Sequence, residues 1–303
     1  MISLKQITYA LAVEKTLHFK KAAELCAVSQ SALSTAISEM EKQLGFQIFE
    51  RDNKKVLITT IGHQCLEKAR RIKIEMDDMT LLGQSLQEPL SHPLSLGAIP
   101  TIAPYLLPKV LPKVRDQYPH LQLRIVEEQS RVLVDMVKNG EIDTAILALP
   151  YDIDGLLAFE FWQEDFYWIA HQDDPLLSLQ SISGETLRQS NLMLLKEGHC
   201  LKDHALAACR LPSSQTDESL ASTSLNTLVQ MVAGRMGTTL VPAMALNQLI
   251  TETSELKAIH LDEPGPHRRI AFITRPNYAS VSDIELLMNV MRDGMENDQA
   301  ENL

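Results

Sequence analysis

Cysteine is scarce in this 303-residue chain: Cys26, Cys65, Cys200 and Cys209 are the only four. So few, so widely scattered, they exclude the disulfide framework of a small secreted domain, and reduced thiols are expected. No uncharged apolar run reaches 18 residues, which leaves no candidate for a membrane-spanning helix. The N-terminal MISLKQITYALAVEK carries an acid inside its apolar face and has no signal-peptide cleavage site, so a cytoplasmic location is the expectation. The nine histidines do not fall with the cysteines at zinc-ligand spacing; neither a metal nor a cofactor is expected.

Positive charge is also in short supply, and it is unevenly placed. The net charge is −11, yet residues 1–73 hold 12 Lys+Arg against 7 Asp+Glu, while the remainder holds 16 against 32. A basic head on an acidic body points to a polyanion met by the head alone. At 45% hydrophobic and 22% charged the composition is that of an ordinary globular protein, long enough for two or three domains.

The head, residues 1–60, has an apolar stripe at helical period in Leu4, Ile7, Leu11 and Ala12. A short helix over 18–25 and a tight link at 26–28 follow. Ser29 is a suitable N-cap for a helix over 30–44, which Gly45 ends. Leu33, Ile37, Met40 and Leu44 make its inner face. Its outer face, with Gln30, Ser31, Ser34, Thr35 and Ser38, is small and polar, suited to lie in a groove against phosphates and base edges. Two apolar segments around residues 50–55 form a hairpin whose tip carries Arg51, Lys54 and Lys55. Together these make a winged helix-turn-helix, with Ser29, Gln30, Ser31, Ser34, Thr35, Arg51, Lys54 and Lys55 as candidate contacts to double-stranded DNA.

Residues 61–92 read as a linker helix. Cys65, Ile72, Met79 and Leu86 recur every seven residues, beside Ala69, Met76 and Gly83. One apolar seam on a long helix calls for a partner, most simply the same helix of a second chain. The body, residues 93–303, starts with a βαβαβ order over 94–149, which implies a parallel sheet with helices on both faces. A second α/β unit starts near 166, and the strand at 270–276 returns to the first. The expected lobes are 93–164 with 270–303, and 165–269. Two lobes with two crossings make a hinged cleft, with ligands at the strand ends.

Residues 197–209, EGHCLKDHALAAC, hold two of the four cysteines. From Leu201 onward the spacing is helical, and nine helical residues rise about 13.5 Å. A disulfide needs Cα atoms within roughly 7 Å. Cys200 and Cys209 therefore never meet, or meet only if the segment unwinds. Near a first helical turn, with His199 and Lys202 beside it and Asp203 in opposition, Cys200 is placed to favour the thiolate that attacks a peroxide. Cys209 would then capture the sulfenic acid. Spacing alone favours the plainer reading, two buried cysteines acting as small apolar residues.

Phe19, Ala22-Ala23, Val28-Ser29-Gln30, Leu33-Ser34, Glu41, Leu44-Gly45, Phe49-Glu50-Arg51 and Thr59-Thr60-Ile61-Gly62 resemble the winged head of LysR-type transcriptional regulators. Ser31 departs from the Pro that many members carry. The body looks like the two-lobed, periplasmic-binding-protein-like sensor domain of that family. Ile99-Pro100-Thr101, Leu147-Ala148-Leu149 and Gly198-His199-Cys200 with Cys209 resemble its peroxide-sensing, OxyR-type branch. The resemblance implies that Cys200 reacts with hydrogen peroxide and Cys209 resolves, with Thr101, His199, Ser130 (where the branch has Thr) and Arg268 or Arg269 forming the pocket. It further implies a dimer, usually a tetramer, meeting RNA polymerase at a promoter and reset by a thiol–disulfide reductant. The function expected is peroxide-dependent transcription regulation without enzymatic turnover. Alternatives are a LysR-type regulator that binds a small organic effector in the cleft and a thiol peroxidase with an attached head.

Overall fold

The structure is a computed structural model that describes every residue except 53–54, 86–87, 189, 213–223, 252–253 and 302–303. Lys54, expected at the wing tip, lies outside the described residues. The chain divides into two compact units, Met1–Gln84 and Ser85–Leu303.

The first unit runs α1 (Leu4–Thr16), α2 (Phe19–Leu25), α3 (Gln30–Leu44), β1 (Phe49–Asp52), β2 (Lys55–Ile58) and α4 (Thr60–Ser85). Each early helix is fixed by a local cap. Ser3 and Gln6 form a capping box on α1, and the His18 ring accepts from the amides of Lys20 and Lys21. The Ser29 hydroxyl accepts from the Ala32 amide, and Gly45 closes α3 at φ 78°. Ala10, Val13, Ala22, Leu33 and Ile37 are fully or almost fully buried between the three helices. Glu41 ties the wing to α3: its Oε1 accepts from the amides of Ile48 (2.8 Å) and Phe49 (3.0 Å). At Gly62 a Cβ would stand 2.3 Å from the Ile48 carbonyl oxygen, so only glycine lets α4 start against the wing.

The second unit holds β3 (Pro93–Ala98), α5 (Ala103–Gln117), β4 (Gln122–Glu127), α6 (Ser130–Lys138), β5 (Thr144–Leu149), β6 (Leu157–Glu164), β7 (Phe166–His171), α7 (Gly184–Leu187), α8 (Cys200–Ala208), α9 (Leu225–Ala233), β8 (Thr239–Pro242), α10 (Leu246–Leu249), β9 (Leu256–His260), β10 (Arg268–Thr274) and α11 (Val281–Glu301). One sheet has the order β4-β3-β5-β10-β6 and the other β8-β7-β9. The expected parallel pairing is present in β4-β3-β5. The expectation fails beyond it: β10 runs antiparallel to both β5 and β6, and all three strands of the smaller sheet are antiparallel neighbours. The reason is the path of the chain. β10 enters the larger sheet from the smaller lobe, against the direction of the strands formed before the crossing. It also starts at Arg268, two residues before the expected strand.

Candidate functional site

The parallel core brings the site together. β3 and β4 are parallel neighbours, so their C-terminal ends, and the loops leaving them, lie at one edge. Thr101 follows β3, and Ser130 opens α6 just after β4. β5 ends at the same edge with Ala148 and Leu149, and β10 begins there, with Arg269 opposite Leu149. Alternation along a strand then separates the two arginines. Arg268 is 1% exposed. Arg269 turns outward to Glu160 at 2.8 Å. Arg268 is therefore the arginine at the site.

Against this edge lies the first turn of α8. A tight cavity is lined by Ile99, Pro100, Thr101, Gln129, Ser130, Gly198, His199 and Cys200. As the side chains stand it is too narrow for a water-sized sphere. Gly198, at φ 93°, makes the turn into α8, and a Cβ there would come within 2.7 Å of Gln129 Oε1. Of the pocket residues expected from sequence, Thr101, Ser130, His199 and Cys200 line the cavity together, all buried. Arg268 stands behind Thr101, donating from Nη1 to Thr101 Oγ1 (3.3 Å) and from Nη2 to the Thr101 carbonyl (3.2 Å). Its Nε donates to Glu164 Oε1 at 2.6 Å.

The electrostatics correct one expectation. Cys200 does begin α8, but it is 3% exposed, and burial raises its pKa above the ordinary thiol value of 9.0. The Ser130 hydroxyl, Arg268 and the Ala148 backbone oppose that rise, while Asp203 adds to it. Ser130 Oγ is buried and has no well-formed hydrogen bond among the described residues, so it remains available to the sulfur. His199 contributes no positive charge at neutral pH, because its burial lowers its pKa. It caps α8 with its backbone alone and makes a long 3.5 Å contact to Gln129. Thr101 and Ser130 are not side-chain caps: the caps of α5 and α6 are Ile102 and Gln129, neither with a side-chain bond.

Cys209 sits at the other end of α8 as its C-cap, its amide donating to Ala205 at 3.1 Å. Both cysteines are free and buried. Cys209 lies against Gly184, where a Cβ would be 2.3 Å from the Cys209 carbonyl oxygen. Burial, followed by the charge of Glu263, pushes the Cys209 thiol up to about 12. Sequence alone did not mark Gln129, Glu164 or His204. His204 lies one turn beyond Cys200, and its buried Nε2 donates to the Pro150 carbonyl at 2.8 Å. That spacing of four was the available signal for it. Glu164 had none, since only the register of β6 on β10 reveals it.

In the head, Gln30, Ser31 and Thr35 are exposed on α3 and Lys55 on β2, while Ser34 is half-buried. Ser29 spends its hydroxyl on the cap and on Ser31 Oγ at 3.0 Å. The backbone of Arg51 belongs to β1. Along α4, Ile72, Met76, Met79 and Leu82 are exposed apolar residues. Cys65 turns toward the head and lines an apolar groove with Leu4, Met40 and Phe46. No helix among the described residues is long and apolar enough to cross a membrane.

Comparison with known proteins matches residues 4–63 to the bacterial regulatory helix-turn-helix of the lysR family and residues 87–296 to the LysR substrate binding domain. The chain belongs to the LysR family of DNA-binding transcriptional regulators. It is 37% identical to the HTH-type transcriptional regulator EstR of Acinetobacter baylyi, with 96% of each chain covered. It is also 37% identical to a probable hydrogen peroxide-inducible genes activator of Streptomyces viridosporus, covering 97% of this chain and 94% of that one. Among solved structures, a full-length OxyR variant of Pseudomonas aeruginosa matches at 32% identity and TM-score 0.80, over 96% of this chain and 98% of that chain.

Proposed function

We propose that this chain is an OxyR-type regulator whose promoter binding is set by reversible oxidation of Cys200 and its disulfide with Cys209. The observation that carries the reading is the pair of free cysteines at the two ends of one helix, with Cys200 facing a polar cavity. Hydrogen peroxide enters that cavity as side chains part. The Cys200 thiolate attacks one peroxide oxygen and the O–O bond breaks. The departing hydroxide takes up a proton and leaves as water, and the sulfur becomes a sulfenic acid. The hydroxyls of Thr101 and Ser130 orient the oxidant, and His199 and Arg268 assist proton movement and the charge on the leaving oxygen. Cys209, as thiolate, then attacks the sulfenic sulfur, and a second water leaves. One peroxide is reduced as two thiols become one disulfide.

Helical geometry forbids that bond while α8 persists, so oxidation dismantles the helix. The new conformer repositions the body's contacts with other copies and so the spacing of paired heads on DNA. Ser29, Gln30, Ser31, Ser34, Thr35, Arg51, Lys54 and Lys55 form the DNA-contacting set, with Ser29 acting mainly as the cap. Residues 1–60 serve as the DNA-binding domain, 61–92 as the dimerising linker and 93–303 as the sensor. A tetramer, RNA polymerase and a cytoplasmic thiol–disulfide reductant complete the cycle. The protein is a one-event sensor, not an enzyme. The cavity beside Cys200 leaves no room even for a water-sized sphere as its side chains stand, which favours a small oxidant over an organic effector at this position.

The test is mass spectrometry of the full chain after brief exposure to micromolar peroxide. The expected result is loss of two hydrogens, with Cys200 and Cys209 in one cross-linked peptide. Intact thiols would overturn the proposal.

A further inference from the structure

The site holds a buried ion pair whose carboxylate, Glu164, the chemistry above does not use. Arg268 and Glu164 are register partners on β10 and β6, and both side chains are almost completely buried. Glu164 is held from two sides: Oε1 accepts from Arg268 Nε at 2.6 Å and Oε2 from the Met244 amide at 2.8 Å. The guanidinium can therefore present its other edge in one orientation only, and that edge meets Thr101. Because Thr101 Oγ1 accepts from Arg268, its own proton must point elsewhere. The described residues offer that hydroxyl no acceptor, and Thr101 lines the cavity in front of Cys200. The arrangement is a relay: carboxylate, guanidinium, hydroxyl, cavity.

We propose that Glu164 is a positioning residue for the oxidation of Cys200, fixing Thr101 through Arg268 as a hydrogen-bond donor to the departing peroxide oxygen. The inference rests on the peroxide reading above and adds a residue to it. A donor held in place before the reaction costs no reorganisation as the O–O bond breaks. Alkylation of the same thiol by iodoacetamide releases iodide, a poor hydrogen-bond acceptor, and needs no such donor. Removing the Glu164 charge also leaves the Arg268 charge less compensated near Cys200, which favours the thiolate. Peroxide and alkylating agent should thus respond in opposite senses, a pattern that loosened packing does not produce.

The experiment measures the rate of Cys200 oxidation by hydrogen peroxide and of its alkylation by iodoacetamide in the full-length chain, as a ratio. In E164Q the ratio falls about tenfold or more, with alkylation unchanged or faster. In T101V it falls about a hundredfold. Adding E164Q to T101V produces no further fall, because the two act through one hydroxyl. E164D, which keeps the charge one methylene short, shows a smaller fall and decides the matter if E164Q does not fold. The proposal is overturned if E164Q and E164D leave the ratio at the wild-type value, if both reagents slow in step, or if the E164Q and T101V effects add. A wild-type Cys200 inert to peroxide overturns the peroxide reading and this proposal together. A reactive wild type with unchanged variants overturns this proposal alone.

Discussion

Burial sets the behaviour of both sulfurs. For an acid such as a thiol, a folded-state pKa above the unfolded one means that the native state holds its proton more tightly. The stability this gives is fully present below the unfolded value, here 9.0, and is lost as pH rises through the folded value. The reduced body should therefore lose stability progressively above pH 9.0, with the Cys209 contribution lost up to about 12. Thermal melts of the wild type against C200S/C209S check this, the double variant showing the weaker pH dependence. The same shift makes the peroxide rate climb with pH without a plateau below 9.0, in a stopped-flow series. C209S should accumulate sulfenic acid at Cys200, trapped by a dimedone-type probe. At this scale the sequence was informative where chemistry is local: the Cys200, His199 and Gly198 run names its own neighbours. It misled on the Cys200 thiol, whose expected tendency to the thiolate is reversed by burial, a property of the packed edge, and it was silent on Glu164, which only strand register brings to Arg268.

A helix that must be taken apart is tuned by what holds it. α8 is fastened at its middle by the His204 bond to the Pro150 carbonyl and at its end against Gly184. H204F removes one buried hydrogen bond worth about 0.5–1.5 kcal/mol, so closure of the disulfide from the sulfenic acid should accelerate by about 2–12-fold in rapid-quench measurements. Ala207 is exposed on α8. A207G weakens the helix by about 1 kcal/mol, which stabilises the reduced form less and should lower the reduction midpoint by about 20 mV in a glutathione titration. The elements themselves were largely legible: caps at Ser29 and Gly45, the period of α3, and the βαβ order through Leu149 all declare themselves in the sequence. Strand direction did not. β10 and the smaller sheet are antiparallel because of where the chain crosses, which no periodicity records.

At the scale of the whole chain, the proposed dimer would use the exposed apolar row Ile72, Met76, Met79 and Leu82 on α4 as its seam. M79E places a charge in that seam and should shift sedimentation toward smaller species and weaken operator binding steeply, since one head alone makes few base contacts. Isolated residues 93–303 should still form the disulfide, which separates sensing from assembly. The narrow cavity has a consequence in time. A pocket too tight for standing solvent admits oxidant only as its side chains part, and each oxidation under the proposed mechanism leaves a covalent mark that persists after the oxidant is gone. The switched fraction of such molecules follows accumulated exposure instead of the momentary level, and it declines only as fast as electrons are returned. A cell holding this chain would possess a dosimeter whose zero is restored by its reducing metabolism.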